Sequence, residues 1–420
     1  MNLREIGSLS ARRLRFYLNR LRERLWVKPL VVCFLSIGAV FLAKLADREG
    51  FAEFLPSVTA ESMEMLLSIM ASSMLVIATF SVASMVSAYA SAGRTATPRT
   101  FSLVVSDDLS QNALSTFIGG FIFAIVALTA AKNEFFGSAG LFVLFVLTVG
   151  VLALVVLTFV RWVDRIARLG RMGWTIDKVE QATAAALRQR RAEPGLGARF
   201  GQPDASGTPV RTSAVGYVQQ IDMEALQKWA EEHDARVSVA APPGTFVSPD
   251  RPLAFVSGGG EEPKGVAEAF QVGDDRVYDE DARFGFVVLS EIAARALSPA
   301  VNDPGTAIDI IGTLVRLFAL WAEPVSEGEV RFDRVAMPRL QEDDLFDDAF
   351  TAVAREGAGT VEVAVRLQKA LTTLAALGPP AMRSAAERHA SLALERARLT
   401  MTLEADLEAV RRASGFAGDR

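Results

Sequence analysis

Residues Gly140 to Val160 read GLFVLFVLTVGVLALVVLTFV, a run of 21 residues without a charged side chain. A bilayer core about 30 Å thick is crossed by about 20 mostly apolar residues in a helix, so this run predicts a transmembrane helix. Three more segments have the same character: Asn112–Ala131, the long and serine-rich Met63–Ala92, and the shorter Pro29–Ala43. Together they predict a four-helix transmembrane domain over residues 27–160.

Basic residues are concentrated on one side of the predicted spans. Residues 1–28 hold eight basic against two acidic side chains, whereas residues 46–62 hold one against four. Five basic and two acidic residues follow the last span, in residues 161–178. Because loops rich in Lys and Arg stay in the cytoplasm, we predict a multi-pass membrane protein whose N- and C-termini are both cytoplasmic.

The first 26 residues form a basic amphipathic segment, with leucines at helical spacing at positions 14, 18, 21 and 25. This segment is either a positive flank for the first span or an interfacial helix on anionic lipid. We interpret the first span as an uncleaved anchor. Lys44 lies two residues before Ala46 and disrupts the small-residue pattern of a cleavage site.

The composition limits the available chemistry. The chain has 420 residues, of which 50% are hydrophobic and 22% charged, with a net charge of −5. The apolar content excludes a disordered chain, and no global basic field indicates nucleic acid. One cysteine, Cys33, and two histidines exclude an intrachain disulfide, a cysteine-based zinc site and a multi-histidine metal centre within this sequence.

Serines line one side of the second predicted span. At 100° per residue, Ser73, Ser84, Ser87 and Ser91 project within a sector about 60° wide. A hydroxyl stripe should not face lipid. It indicates either close packing of helices through small residues or the polar wall of a water-filled path. The centres of the spans carry no charged side chain, which argues against a buried proton relay or a charged transport site.

The rest of the chain is soluble in composition. We interpret residues 161–210 as a helical connector with a Gly/Pro-rich loop, 211–280 as a small β-rich module, and 281–420 as a helical cytoplasmic domain. The predicted fold class is an α-helical membrane protein, in which four transmembrane helices are followed by an α+β cytoplasmic region. In the helical domain, Asp303 is expected to cap a helix that begins at Pro304.

Two motifs carry a resemblance to a known family. Residues 289–307 read LSEIAARALSPAVNDPGTA, and Pro98-Arg99 is followed at fixed spacing by Asp107, Gln111 and the FIGGF run at 117–121. In order and spacing they resemble the domain of unknown function 2254 family of bacterial membrane proteins, over nearly the whole chain. The resemblance implies a protein of the bacterial inner (plasma) membrane with four spans, a cytoplasmic region and no established activity.

Two polar clusters are candidate ligand or ion sites. Asn302, Asp303 and Thr306 either form a capped helix corner or present oxygens and a helix N-terminus to a ligand. Four aspartates form two i,i+4 pairs that are either a solvated helix start or a weak candidate for a metal site: Asp343, Asp344, Asp347 and Asp348. We find no nucleophile–base pair, nucleotide loop or metalloenzyme motif, so we predict no enzymatic activity and no cofactor.

Two classes of function remain open. One is an oligomeric, channel-like or transport-related protein with a cytoplasmic regulatory domain, which the serine stripe favours. The other is a non-conducting membrane sensor or scaffold whose cytoplasmic domain binds a ligand or protein partner, which the lack of charge within the spans favours. The expected partners are the lipid bilayer and further copies of the chain, not nucleic acid. The small-molecule or ion ligand is unidentified.

Overall fold

The structure is a computed structural model that describes residues 26–45, 47, 56, 58–95, 97–101, 103, 108–166, 171–260, 263–324 and 329–416. The predicted amphipathic segment at 1–26 lies outside these residues except for Trp26. The chain divides into two compact units, one of residues Arg15–Thr175 and one that includes Ile176–Arg420. They are called the N-terminal unit and the C-terminal unit below.

Long helices form the described part of the N-terminal unit. They are α1 (Val27–Leu45), α2 (Ala60–Thr95), α3 (Asp108–Lys132) and α4 (Ser138–Ile166). Each contains one predicted span and continues beyond it at both ends. The 36 residues of α2 measure about 54 Å at 1.5 Å per residue, which is more than a bilayer core of about 30 Å requires.

The helix α3 lies at the centre of this unit and packs against α1, α2 and α4. Glycines allow the close approach, because a Cβ built on Gly119 would overlap Val32 of α1 and one on Gly120 would lie 3.3 Å from Val155 Cγ2 of α4. Large apolar side chains fill the space between the helices. Those that are fully buried include Met63, Leu67, Phe117, Phe123, Leu144 and Trp162.

Five described helices are long and apolar enough to cross a membrane. Four of them are α1 to α4, and the fifth is Pro304–Ala322 in the C-terminal unit. Length and composition therefore give one candidate span more than the four that the sequence analysis predicts.

The C-terminal unit combines helices with short strands. The helix α5 (Met172–Ala192) contains the boundary between the two units, and α6 (Met223–Glu232) lies between the third and fourth strands. The described strands are β1 (Ala198–Phe200), β2 (Thr208–Val210), β3 (Gly216–Ile221), β4 (Ala235–Val239), β5 (Phe246–Val247), β6 (Ala254–Gly258), β7 (Phe270–Gly273) and β8 (Phe332–Met337).

The strands form two sheets around one apolar core. The larger sheet has the order β1-β8-β4-β6-β2, in which β8 runs parallel to both β1 and β4 and the other pairs are antiparallel. The smaller sheet is antiparallel, with the order β5-β3-β7. Val237 and Val335 of the larger sheet, Val218 of the smaller sheet and Leu226 of α6 share the core.

The remaining helices form a bundle with an aromatic centre. They are α7 (Phe284–Ala296), α8 (Pro304–Ala322), α9 (Glu342–Glu356), α10 (Val361–Leu377), α11 (Pro380–Thr400) and α12 (Glu404–Ala413). The ring of Phe318 on α8 lies 4.8 Å from Phe286, 4.4 Å from Phe346 and 5.6 Å from Phe350, measured between centroids. These contacts join α7, α8 and α9.

The structure differs from the predicted organisation of the C-terminal residues in three places. Residues 190–210, interpreted as a loop, contribute the end of α5, a 3₁₀ turn and the strands β1 and β2. Residues 332–337, to which the sequence analysis assigns no strand, form β8 inside the larger sheet. Residues 381–412, whose sequence predicts one continuous helix, form the two helices α11 and α12, which are separated by extended backbone at Met401 and Leu403. The β-rich module and the helical domain are therefore joined through a shared sheet.

Candidate functional site

The predicted polar face of the second span lies on the outer surface of the N-terminal unit. Ser73, Ser87 and Ser91 are exposed and Ser84 is half-buried, whereas Ser81, on another side of α2, is fully buried. The serine stripe therefore does not pack within a single chain. The same sector also carries the exposed side chains of Ile69 and Phe80, so the stripe is interrupted by apolar residues.

The exposed surface of α2 differs from that of α1 and α4. Every exposed residue of α1, and every exposed residue of α4 between Gly140 and Val160, is apolar or glycine. In contrast, the described side chains of α2 include seven exposed hydroxyls, namely Ser62, Ser68, Ser72, Ser73, Thr79, Ser87 and Ser91. The surfaces of α1 and α4 suit lipid chains, and the surface of α2 offers a polar neighbour many contacts.

Several of these hydroxyls donate their proton to the helix itself. The oxygens of Ser72, Ser73 and Thr79 lie 2.9, 2.7 and 2.7 Å from backbone carbonyl oxygens one turn earlier. Each donor is thereby satisfied, and the hydroxyl oxygen keeps a lone pair for a neighbour outside the chain. The face consequently presents hydrogen-bond acceptors.

The corner between α7 and α8 has the predicted cap. Asp303 Oδ1 accepts a hydrogen bond from Thr306 N at 3.1 Å, and Oδ2 accepts one from Thr306 Oγ1 at 2.6 Å. Pro304 occupies the first position of α8. The hydrogen bonds from the side chain and backbone of Thr306 lower the pKa of Asp303. Both carboxylate oxygens are thus engaged in capping.

Asn302 completes the corner through its backbone. Its φ is +50°, in the left-handed region that asparagine tolerates better than most residues. Asn302 N donates to Ser298 O at 2.9 Å, and Asp303 N donates to Ala296 O at 2.8 Å. The side chain of Asn302 is exposed. Of the three predicted ligand candidates, Asn302 leaves its side chain facing solvent, whereas Asp303 and Thr306 bond to each other.

The four aspartates at the start of α9 are paired with arginines. Arg283 Nε lies 2.7 Å from Asp348 Oδ2, and Arg283 Nη1 lies 2.9 Å from Asp344 Oδ2. Arg388 of α11 reaches the other two, at 3.1 Å from Asp343 Oδ1 and 3.2 Å from Asp347 Oδ1. Burial raises the pKa of Asp348, while the contact with Arg283 opposes this shift.

The arginine contacts give these carboxylates a structural role. They connect α9 to the residue before α7 and to α11, because Arg283 and Arg388 lie on those elements. Within the part of the chain that the structure describes, no group of three or more His, Cys, Asp or Glu side chains is placed to hold a metal ion. The aspartates therefore neutralise arginines where the sequence analysis considers a metal site.

Sequence reasoning missed two groups of residues that the fold brings together. Arg283, Arg388 and His389 meet the aspartates from 41 to 65 residues away. The like-charged aspartates indicate a need for counter-charges, but 44 basic residues could supply them. Only the tertiary fold selects these partners.

The second missed group joins the end of α1 to the start of α4. Asp47 Oδ2 accepts from Gly137 N at 2.8 Å and Oδ1 accepts from Gly140 N at 2.7 Å, while Lys44 Nζ lies 3.2 Å from Oδ2. Burial raises the pKa of Asp47, but the two backbone hydrogen bonds and Lys44 outweigh it and lower the pKa. A carboxylate at a helix N-terminus is stabilising. Asp47 thus fixes two helix ends on the same side of the unit.

Comparisons with known proteins identify relatives of the chain. The sequence profile of a family described as "Predicted membrane protein (DUF2254)" matches residues 22–373. Uncharacterized proteins of Mycobacterium tuberculosis and Mycobacterium bovis are 26% identical over 167 residues, which is 38% of this chain and 31% of each relative. The chain is thus matched to less than a third of the length of these relatives. No solved structure matches it.

Proposed function

Because the chain belongs to the DUF2254 family of predicted membrane proteins, we propose that it is a multi-pass protein of the bacterial inner membrane that forms a channel-like homo-oligomer. The exposed face of α2 from each copy lines a polar path. The C-terminal unit lies in the cytoplasm and regulates the path.

The observation that carries this proposal is the contrast between membrane-facing surfaces. The helices α1 and α4 expose only apolar residues and glycine along their spans, whereas the described side chains of α2 include seven exposed hydroxyl groups. Polar side chains in a membrane protein face protein or water in preference to lipid. In an assembly with α2 on the inside, the apolar surfaces of α1 and α4 contact lipid and the hydroxyls of α2 contact protein or water.

The described helices of a single N-terminal unit leave no room for such a path between them. The space between the described helices is filled by side chains such as Phe117, Phe123 and Trp162, all of which are fully buried. A path between copies is the arrangement that uses the acceptor oxygens of Ser73 and its neighbours.

We further propose that α1 to α4 cross the bilayer and that α8 does not. The exposed residues of α8 are Gly305, Asp309 and Arg316, and Arg316 donates two hydrogen bonds of 2.7 Å to Glu180. Its apolar face packs against other helices of the C-terminal unit, including α7 and α10. A helix in contact with lipid exposes apolar side chains, as α1 and α4 do.

The cytoplasmic placement of both termini rests on the loop charges. The segments before α1 and after α4 are rich in Arg and Lys, and the α1–α2 connection is acidic. An even number of spans with antiparallel neighbours is consistent with Asp47, which joins the end of α1 to the start of α4.

Cysteine cross-linking tests the assembly. In a Cys33→Ser background, we expect Ser73→Cys to form covalent dimers with a short bifunctional thiol reagent in native membranes. The matched control is Val149→Cys, near the middle of α4 and 45% exposed on its apolar face. We expect it to remain monomeric, because that face contacts lipid.

Flux measurements test the path itself. Proteoliposomes with Ser73→Cys are expected to lose ion or solute flux on reaction with a charged thiol reagent, while those with Val149→Cys keep it. Equal cross-linking of both variants contradicts assembly through α2. Selective cross-linking without flux contradicts the path and favours the second function.

That second function is a non-conducting sensor or scaffold. It is favoured by the hydroxyls of α2 that donate to carbonyl oxygens of their own helix. A hydroxyl whose proton is already hydrogen-bonded costs less free energy to bury against an apolar neighbour than one without an acceptor. In this case, α2 packs against another protein helix and the C-terminal unit binds a ligand or protein partner.

A further inference from the structure

His389 is buried between two helices of the C-terminal unit. It lies on α11 with only 2% of its surface exposed. The centroid of its ring lies 5.8 Å from that of Phe346 and 6.4 Å from that of Phe350, both on α9. Its Nε2 lies 3.0 Å from Asp347 Oδ1. His389 therefore joins α11 to α9 through one polar contact within aromatic surroundings.

The hydrogen-bond partners determine where the proton of the neutral ring lies. Asp347 Oδ1 also accepts from Arg388 Nη1 at 3.2 Å, so this carboxylate acts as an acceptor. His389 Nε2 must then be the donor, and Nδ1 is an unprotonated acceptor. Nδ1 is buried and has no hydrogen-bond partner in the described part of the chain.

A second proton would be poorly accommodated at this position. It would place an N–H group on Nδ1, buried without an acceptor, and it would place a positive charge beside Arg388. Burial of the ring and the charge of Arg388 both lower the pKa of His389, and Arg396 adds to this. Asp347 opposes the shift but does not overcome it. The folded unit therefore retains the neutral ring.

Several charged groups on the neighbouring helices are held in ion pairs. On α9, Asp343 and Asp347 bond to Arg388, while α10 meets α11 through Gln368, whose Nε2 donates to Ala390 O at 2.9 Å. Further ion pairs in the described bundle join Arg283 to Asp344 and Asp348 of α9, and Arg411 to Glu404 and Glu408 within α12. Histidine is the side chain whose ordinary pKa lies between pH 5 and 8, so His389 is the group in this contact that we expect to take up a proton in that range.

We propose that the contact between α9 and α11 is an acid-sensitive latch, which neutral His389 holds closed and which loosens when the ring takes up a proton. The direction follows from proton linkage. The open form, in which the ring meets water, binds a proton more readily than the closed form. The latch has full strength above the ordinary pKa of histidine and weakens as the pH falls from there towards the lower pKa of the closed form.

Hydrogen exchange of the full chain in lipid nanodiscs tests the latch. We expect the protection of α9 and α11 peptides, corrected for the intrinsic exchange rate, to fall between pH 7.5 and 5.5. Protection falls roughly tenfold for each unit by which the pKa of His389 is lower in the closed form than in the open form. This holds when the pH range covers both pKa values of His389. Unchanged protection across this range would overturn the proposal.

The two histidines of the chain provide a matched pair of variants. His389→Gln keeps an amide N–H for Asp347 but cannot take up a proton at this pH, so the pH response of α9 and α11 should disappear. His233→Gln lies outside this bundle, on the residue after α6, and should leave the response intact. A response that persists in His389→Gln assigns it to another group and contradicts the latch.

A measurement on the unaltered sequence covers the case in which a variant misfolds. In protein labelled with ¹³C-histidine, the ring Cε1 signal of His389 is expected to titrate below the ordinary pKa of histidine. A titration at or above that value would mean that the closed form accepts the proton, which contradicts the proposal.

Discussion

The carboxylate of Asp303 satisfies two donors of Thr306 at the start of α8. We expect Asp303→Ala to lower the free energy of unfolding by about 0.5–2 kcal/mol, because the backbone N–H of Thr306 loses its acceptor. Asp303→Ser should cost much less, since serine caps about as well as aspartate. Chemical denaturation of the purified protein, followed through the C-terminal unit, measures both changes.

The pH dependence of stability tests whether the ionised carboxylate of Asp303 forms the cap. The pKa of Asp303 is lowered in the folded chain, so its contribution to stability is present above the unfolded pKa and is lost as the pH falls through the folded pKa. The difference in the free energy of unfolding between the native chain and Asp303→Ala should therefore become smaller in acid. If Asp303→Ser keeps native stability but loses flux or binding, the residue has a ligand role that the cap does not explain.

Single residues differ in how far the sequence predicts their role. The cap at Asp303 is predictable because its partner lies three residues away and Pro304 marks the helix start. The pairing of Asp348 with Arg283 depends on residues 65 apart, and no local pattern selects that arginine. The acid cluster was thus visible in the sequence, while its neutralisation depends on the fold.

At the scale of helices, Gly119 controls the contact between α1 and α3. A side chain at this position overlaps Val32, so we expect Gly119→Leu to separate the two helices and to destabilise the N-terminal unit by about 1–3 kcal/mol. Gly150 on α4 is the matched control, because nothing lies within 4 Å of a Cβ built there. Thermal unfolding in detergent compares the two variants.

The result for Gly150→Leu decides whether the effect is local. We expect near-native melting, since the added side chain faces lipid or detergent. Similar losses in both variants would indicate that leucine is poorly tolerated throughout these helices, and would contradict a specific contact at Gly119.

Elements with a strong local signal agree with their predicted bounds, and those defined by distant partners do not. Asp222 as a cap and the apolar spacing that follows it predict a helix over 223–232, and apolar periodicity predicts one over 361–377. The helices α6 and α10 have these bounds. The strand β8 has little local signal and exists because β1 and β4 flank it. The helical pattern of 381–412 continues through Met401, but Leu407 and Val410 of α12 pack against Ala364 of α10, which requires a break in the helix.

At the scale of the whole molecule, the topology is directly testable. In a Cys33→Ser background, we expect Glu134→Cys, in the α3–α4 connection, to react with a membrane-impermeant maleimide in spheroplasts. Leu399→Cys, on a side chain that is 86% exposed in the C-terminal unit, should react only after the membrane is opened. In the topology that we propose from the loop charges, the two positions lie on opposite sides of the bilayer.

The same assay tests whether α8 crosses the membrane. Arg316→Cys is expected to behave like Leu399→Cys, because α8 belongs to the cytoplasmic bundle in our proposal. Labelling of Leu399→Cys in sealed spheroplasts would reverse the assignment of the C-terminal side. Protection of Arg316→Cys in both conditions, with Leu399→Cys labelled after opening, would place α8 within the bilayer.

The position of β8 also determines when the C-terminal unit can fold during synthesis. Among the described strands, β1 has only β8 as its sheet neighbour, and β8 follows it by more than 130 residues. At translation rates of about 5–20 residues per second, the ribosome needs roughly 7–27 s to travel from the end of β1 to the end of β8. By then all of α1 to α4 have been made. During this interval the apolar residues of β4 and β1 lack the strand that covers their edges, so the nascent chain is exposed to proteases and chaperones while its membrane helices are already available for insertion.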